Sequence, residues 1–197
     1  MAINSCIGDI ARNIVLDCEN PNVSGYTGRA VYIPLKSNPT ITKDATNPRV
    51  LTNVTLPADT HLMYIDNSDP FVASFEGSTT ESNTDSGRTL FRKTINLSIP
   101  LRGSGVSKEL VEPLLYDTNG GLMILEKKAE VLDGKYEVIG LYDGIRASGT
   151  ASRDDVTSGS WRIELSSSEV YAECTFQAGA TLAECKTAFE ALIAQAF

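Results

Sequence analysis

Residues 134–176 read GKYEVIGLYDGIRASGTASRDDVTSGSWRIELSSSEVYAECTF, and three runs within them alternate apolar and polar side chains at period two. The first sets Tyr136, Val138, Gly140 and Tyr142 on one face, with Ile139 and Leu141 on the other. The second sets Trp161, Ile163 and Leu165 against Arg162, Glu164 and Ser166. The third sets Val170, Ala172, Cys174 and Phe176 against Tyr171, Glu173 and Thr175. Successive Cβ atoms of a strand point to opposite sides of its sheet, so this period belongs to half-buried strands. Turn-forming residues divide the runs, and the stretch predicts the antiparallel centre of a β-rich domain.

The flanking sequence extends that expectation. Residues 5–18 place Ile7, Ile10, Ile14, Val15 and Leu16 at a spacing that suits a short helix or an irregular strand. CENPNVSGYTGR (18–29) is dense in turn formers and reads as a loop. AVYIPL (30–35) reads as a strand, and Pro34 points to a sheet edge because proline cannot donate to the ladder. Residues 36–60 are polar and carry three prolines, so an extended loop is expected, with weak strand character at 50–56 only. HLMYI (61–65) and FVASFEG (71–77) predict two strands joined by the turn DNSDP.

The twelve residues 77–88, GSTTESNTDSGR, hold no apolar side chain. They predict an exposed loop, either a solvated tip or an arm that orders against a neighbour. TLFRKTINLSIPL (89–101) is the longest strand signal, with Phe91, Ile95, Leu97, Ile99 and Leu101 on one face. SGVSKELVEPLLY (104–116) reads as a helix capped by Ser107 and kinked by Pro113, and LMILEKK (122–128) as a further strand. The closing TLAECKTAFEALIAQAF predicts a helix with a Thr181–Glu184 capping box. Its stripe of Leu182, Cys185, Phe189, Leu192, Ile193 and Ala196 is expected to cover the protein's own sheet.

At 197 residues, 42% hydrophobic and 21% charged, residues 1–197 are expected to form a single domain. No run nears the roughly 20 apolar residues that cross a bilayer, so no membrane partner is expected. MAINSCIGDIARN lacks the basic-then-apolar form of a secretory signal, which predicts a cytoplasmic origin. Seventeen scattered basic residues against 25 acidic ones, a net charge of −8, disfavour a grip on nucleic acid. An acidic wall past which DNA slides without sticking suits that balance equally well.

The signatures of catalysis and metal binding do not assemble. Cys6, Cys18, Cys174 and Cys185 fall outside CxxC or histidine-containing spacings, which predicts four reduced thiols. GSG at 103–105 lacks the lysine of a phosphate loop, and neither GxSxG nor HExxH occurs. His61 is the single histidine and sits in an apolar run. Asp117, Asn119 and Gly120 put a glycine too early for a calcium loop, and the adjacent Asp154 and Asp155 point different ways. No catalytic residue, no cofactor and no metal site is expected, and the chain is not expected to be an enzyme.

The succession YEVIGLYDGIRAS, RDD, SGSWRIELSSSEVYAECTF, with the opening IARNIVLDCENPNVSGYTGRAVYIPL, resembles tail tube proteins of tailed bacteriophages, specifically phages of gut Bacteroidales. The likeness covers the two ends of the chain and leaves out residues 36–88. It implies a mainly β, tail-tube-like fold, a β-sandwich or split barrel with a mid-chain helix and a C-terminal helix. It further implies homo-oligomeric rings, hexameric in that family, that stack into a conduit for the passage of double-stranded DNA. Other virion tail proteins would be partners, and the protein would reside in the virion tail after assembly in the host bacterial cytoplasm.

On that reading Ser78, Thr79, Thr80, Glu81, Ser82, Asn83, Thr84 and Asp85 are subunit-interface candidates. Glu137 and Glu164 are candidates for lumen charges that repel passing phosphates. The alternatives are a tail terminator, connector or capsid decoration protein. Of another class is a carbohydrate- or receptor-binding β-sandwich, which an aromatic content of 7% disfavours.

Overall fold

A computed structural model describes residues 25–58, 60, 62–66, 75–83, 89–100, 114, 117–148, 152–153 and 160–196. The strands in order are β1 (Tyr26–Pro34), β2 (Thr40–Lys43), β3 (Val50–Thr55), β4 (Met63–Asp66), β5 (Phe75–Asn83) and β6 (Thr89–Pro100). They continue with β7 (Gly121–Lys127), β8 (Tyr136–Ile139), β9 (Arg146–Ala147), β10 (Ser152–Arg153), β11 (Ser160–Glu169) and β12 (Cys174–Phe176), and helix α1 (Leu182–Ile193) follows. One sheet runs β2-β3-β12-β8-β7-β1-β4 and the other β10-β11-β6-β5, with β9 also on β11. The protein is mainly β with a C-terminal helix.

The layering follows from β7. GLMILEK is buried at its first six positions, a continuous apolar run of the kind a strand carries when both its faces are covered. Leu122 and Ile124 pack with Val31, Ile33, Tyr136, Val138 and Phe176, and with Cys185, Phe189 and Leu192 of α1. Met123 and Leu125 pack instead with Ala30, Tyr32 and Ile139, and with Ile95, Leu97, Ile163 and Leu165 of the second sheet. The seven-stranded sheet is therefore the middle of three layers, with α1 on one face and the second sheet on the other.

α1 lies where its stripe requires. The Thr181 side chain accepts from the Glu184 amide, and the Glu184 carboxylate returns to the Thr181 amide, closing the capping box. Cys185, Phe189, Leu192 and Ile193 are buried against the protein's own sheet, with the Phe189 ring 4.5 Å from that of Tyr136.

Several expectations are corrected, each for a physical reason. β1 begins at Tyr26, inside the expected 18–29 loop, and it lies between β7 and β4 rather than at an edge. Pro34 is tolerated because it ends the strand, beyond residues 29–32 that pair with β4. Residues 36–60 hold the antiparallel pair β2 and β3 in place of a plain loop. β4 and β5 belong to different sheets, so they are not partners in a hairpin. Residues 77–83, expected as loop, continue β5 beside β6 from Gly77↔Ile95 to Asn83↔Thr89. Ladder hydrogen bonds use the backbone alone, so a polar sequence can follow a strong neighbouring strand.

The third run is strand only at Cys174–Phe176; Val170 is 49% exposed and Ala172 lies in an exposed bend. β12 pairs antiparallel with β8 but parallel with β3, so the sheet is mixed rather than purely antiparallel. In the first run the alternation reverses at Gly140, whose φ is +86°. A Cβ there would stand 2.3 Å from the Gly121 carbonyl oxygen, so only glycine fits, and Leu141 joins the helix-side core with Tyr136 and Val138. The expected mid-chain helix lies outside the described residues except for Leu114, which is helical and buried. Residues 5–18 and His61 also lie outside them.

Phe189→Ala removes the ring that joins α1 to the central sheet. It is expected to cost about 3–5 kcal/mol, read as a lowered urea midpoint with the slope unchanged.

Candidate functional site

The inward face between the sheets changes character along its length. β6 places Lys93, Ile95 and Leu97 inward, and β11 places Ile163, Leu165, Ser167 and Glu169 inward; all are buried. Lys93 stands opposite Ser167 in the ladder. The apolar contact between sheets therefore ends in a polar zone that Glu137 of β8 completes from the facing sheet. Lys93 is only 3% and Glu169 only 1% exposed.

Two polar links cross between the sheets here. The Lys93 ammonium donates to Glu137 Oε1. Glu137 Oε2 accepts from the Tyr26 hydroxyl at 2.9 Å and lies 3.9 Å from Lys127 Nζ, which also reaches Glu173 at 2.8 Å. Burial, together with the facing Glu137 charge, pushes the Tyr26 phenol far above its ordinary value, so it serves as a neutral donor.

The second link is Glu169. Its Oε1 accepts from the Gly140 amide at 2.6 Å and from Ser167 Oγ at 3.1 Å. Its Oε2 is buried without a hydrogen bond, although the Tyr142 amide is placed to favour the charged form. Burial raises this carboxyl above the ordinary 4.5, and its hydrogen bonds and the Lys93 charge offset only part of that. The folded protein thus holds this proton more tightly than the unfolded chain. The stability tied to it is complete below about pH 4.5 and declines as pH rises through the raised value.

A separate chain of charges fastens α1. Arg29 of β1 reaches Glu126 at 3.4 Å and Glu190 of α1 at 2.6 Å. Lys135 holds Glu126 at 3.3 Å and Glu130 at 2.7 Å, and Glu130 also pairs with Lys186 of α1. Cys174 and Cys185 are free, buried thiols, and burial pushes Cys174 up to about 11, which leaves it unreactive. Among the described residues no group of three or more His, Cys, Asp or Glu is arranged to hold a metal ion, and no helix is long and apolar enough to cross a membrane.

The candidates read from sequence separate on this frame. Glu137 is corrected: it is a buried, ion-paired group whose charge is spent inside the protein, not a lumen charge. Glu164 is half-buried and accepts from Ser148 Oγ at 2.7 Å. Ser78, Thr79, Thr80, Glu81, Ser82 and Asn83 belong to β5, while Thr84 and Asp85 lie outside the described residues, as do Asp154 and Asp155. Lys93 and Glu169 were not singled out, yet both signals were present. Lys93 is in phase with Phe91 and Ile95, and Glu169 with Ile163 and Leu165. Chemically, this seam can hold two sheets in register and take up or release one proton.

Lys93→Met leaves Glu137 buried with only the more distant Lys127, 3.9 Å away, as a cation, and is expected to cost up to about 3–5 kcal/mol of unfolding free energy, which Lys93→Met with Glu137→Leu largely restores. Glu169→Gln is expected to flatten the fall in urea midpoint expected of the native protein as pH rises from about 4.5 through the raised value, an unchanged slope being the contrary result.

No protein-family model matches the chain, and no curated protein or solved structure does.

Proposed function

We propose that this protein is a structural subunit of a bacteriophage tail tube, whose copies join head to tail into stacked rings that conduct double-stranded DNA. The observation that carries this reading is the free edge of the second sheet. β5 pairs with β6 over nine residues, from Phe75↔Leu97 to Asn83↔Thr89, and ends the sheet. Among the described residues no strand lies on its other side. An edge of that length offers a row of unpaired N–H and C=O groups to another chain.

The opposite end of the same sheet is different. There, among the described residues, β11 is covered at Trp161 and Arg162 by β10 and at Leu165 and Ser166 by β9. A sheet with two unlike edges supports heterologous contacts, and such contacts close into a ring when the rotation between copies permits. The polar sequence STTESN at 78–83 suits an edge that waits in water before it is paired. The interface candidates then act through their backbone, as a strand added to a neighbour's sheet. Glu164 is the remaining lumen candidate, since Glu137 is occupied by Lys93.

Neighbouring residues of a strand turn their N–H groups to opposite sides. Of Thr79→Pro and Thr80→Pro, one therefore strikes the β6 ladder and the other only the free edge. The edge variant is expected to keep the native circular dichroism spectrum and lose ring formation in negative-stain micrographs. Rings from both variants, or native protein that stays monomeric at high concentration, would end the reading.

A further inference from the structure

Three segments meet on the surface beside the β2–β3 side of the central sheet. Tyr142 comes from the turn after β8, Val170 and Tyr171 from the bend after β11, and Lys43 and Arg49 from the ends of β2 and the β2–β3 connection. Tyr142, 37% exposed, and Val170 are the exposed large hydrophobic residues among those described. The two tyrosine rings meet edge to face with centroids 5.6 Å apart. Lys43 Nζ sits 3.8 Å from the Tyr142 centroid and Arg49 Cζ 4.7 Å from that of Tyr171. The Tyr142 hydroxyl donates to the Pro48 carbonyl at 2.7 Å, which fixes the connection against the turn.

Arg29, Lys93, Lys127, Lys135, Arg146 and Lys186 each face a carboxylate. Lys43 and Arg49 face none within ion-pair distance among the described residues. Lys36, Arg92 and Lys128 also lack an ion pair among the described residues, but of the unpaired cations Lys43 and Arg49 are those held over aromatic rings. The carboxylate nearest in sequence, Asp44, is turned into its own loop, where its Oδ1 accepts from the Thr46 and Asn47 amides at 2.8 Å. Two uncompensated cations are thus held by aromatic rings beside an exposed valine, in a chain of net charge −8.

We propose that this patch is where the acidic surface of a second copy of the chain docks. The inference rests on the assembly reading above and names a second contact, separate from the β5 edge. Copies that each carry −8 repel one another, so a stable contact between them must set cations of one against acids of the other. Lys43 and Arg49 are cations still available for that, and Tyr142 and Val170 supply apolar anchors that exclude water around them. A duplex DNA partner is disfavoured, because two cations displace few counterions against the field of the whole chain.

The test compares the native protein with Lys43→Glu/Arg49→Glu by light scattering over a concentration series at rising salt. Circular dichroism verifies the fold, and Lys43→Gln/Arg49→Gln replaces the pair if the reversal does not fold. The native assembly is expected to weaken with salt, and the variant to need at least about tenfold more protein to assemble. Tyr171→Phe, which keeps the ring, is expected to match the native protein, and Tyr171→Ala to fall with the charge variant. A variant that assembles like the native protein overturns this inference and leaves the β5 reading standing. Native protein that never assembles overturns both. Unchanged assembly with loss of binding to a duplex oligonucleotide marks the patch as a phosphate site, which also overturns it.

Discussion

A sheet covered on both faces is the constraint from which the rest of this structure follows. β7 and β8 have water on neither side, so each successive residue must find a partner in one layer or the other. That requirement calls up a helix with one apolar stripe and a second sheet with one apolar face, and the chain supplies one of each. It also limits where polar side chains can go. Of those buried among the described residues, Lys93, Glu137, Ser167 and Glu169 collect at one end of the space between sheets and are almost completely satisfied, while Glu126 pairs with Lys135 and Asp117 accepts from the Tyr32 hydroxyl. A buried ion pair of this kind adds little net stability over well-packed apolar residues; its effect is to penalise any shift of one sheet across the other.

The legibility of the fold in sequence divides along the same line. β6, β11 and α1 each bury one face, and their periods placed them. β7 lacks alternation because both its faces are covered, but its unbroken apolar run could be read as strand all the same. The polar half of β5 could not, because nothing in residues 77–83 records that β6 lies beside them. The parallel pairing of β12 with β3 was equally hidden, since it joins segments with most of the chain between them. Glu137 was a lumen candidate through the family resemblance alone; it shares a face with Ile139, and nothing in its own strand records that Lys93 in the other sheet neutralises it. The surface grouping of Lys43, Arg49, Tyr142 and Tyr171 draws on three distant segments, and no spacing within any one of them announces it.

Taken together, these features describe a stiff body with its adhesive groups at the margins. The interior is closed by apolar packing and by charges that answer one another, and α1 is tied down by Arg29 and Lys135 through shared glutamates. At the margins, among the described residues, lie the β5 edge of one sheet and a cationic, aromatic corner beside β2 and β3 of the other.

β12 is only three residues long, yet it stands between β3 and β8 and is the sole join between the β2–β3 pair and the other four strands of the central sheet. It acts as a keystone delivered late, following in sequence every other strand among the described residues. A nascent chain cut short of Phe176 holds two unconnected fragments of one sheet, and the helix that roofs them is still missing. Completeness of synthesis is thereby written into the architecture.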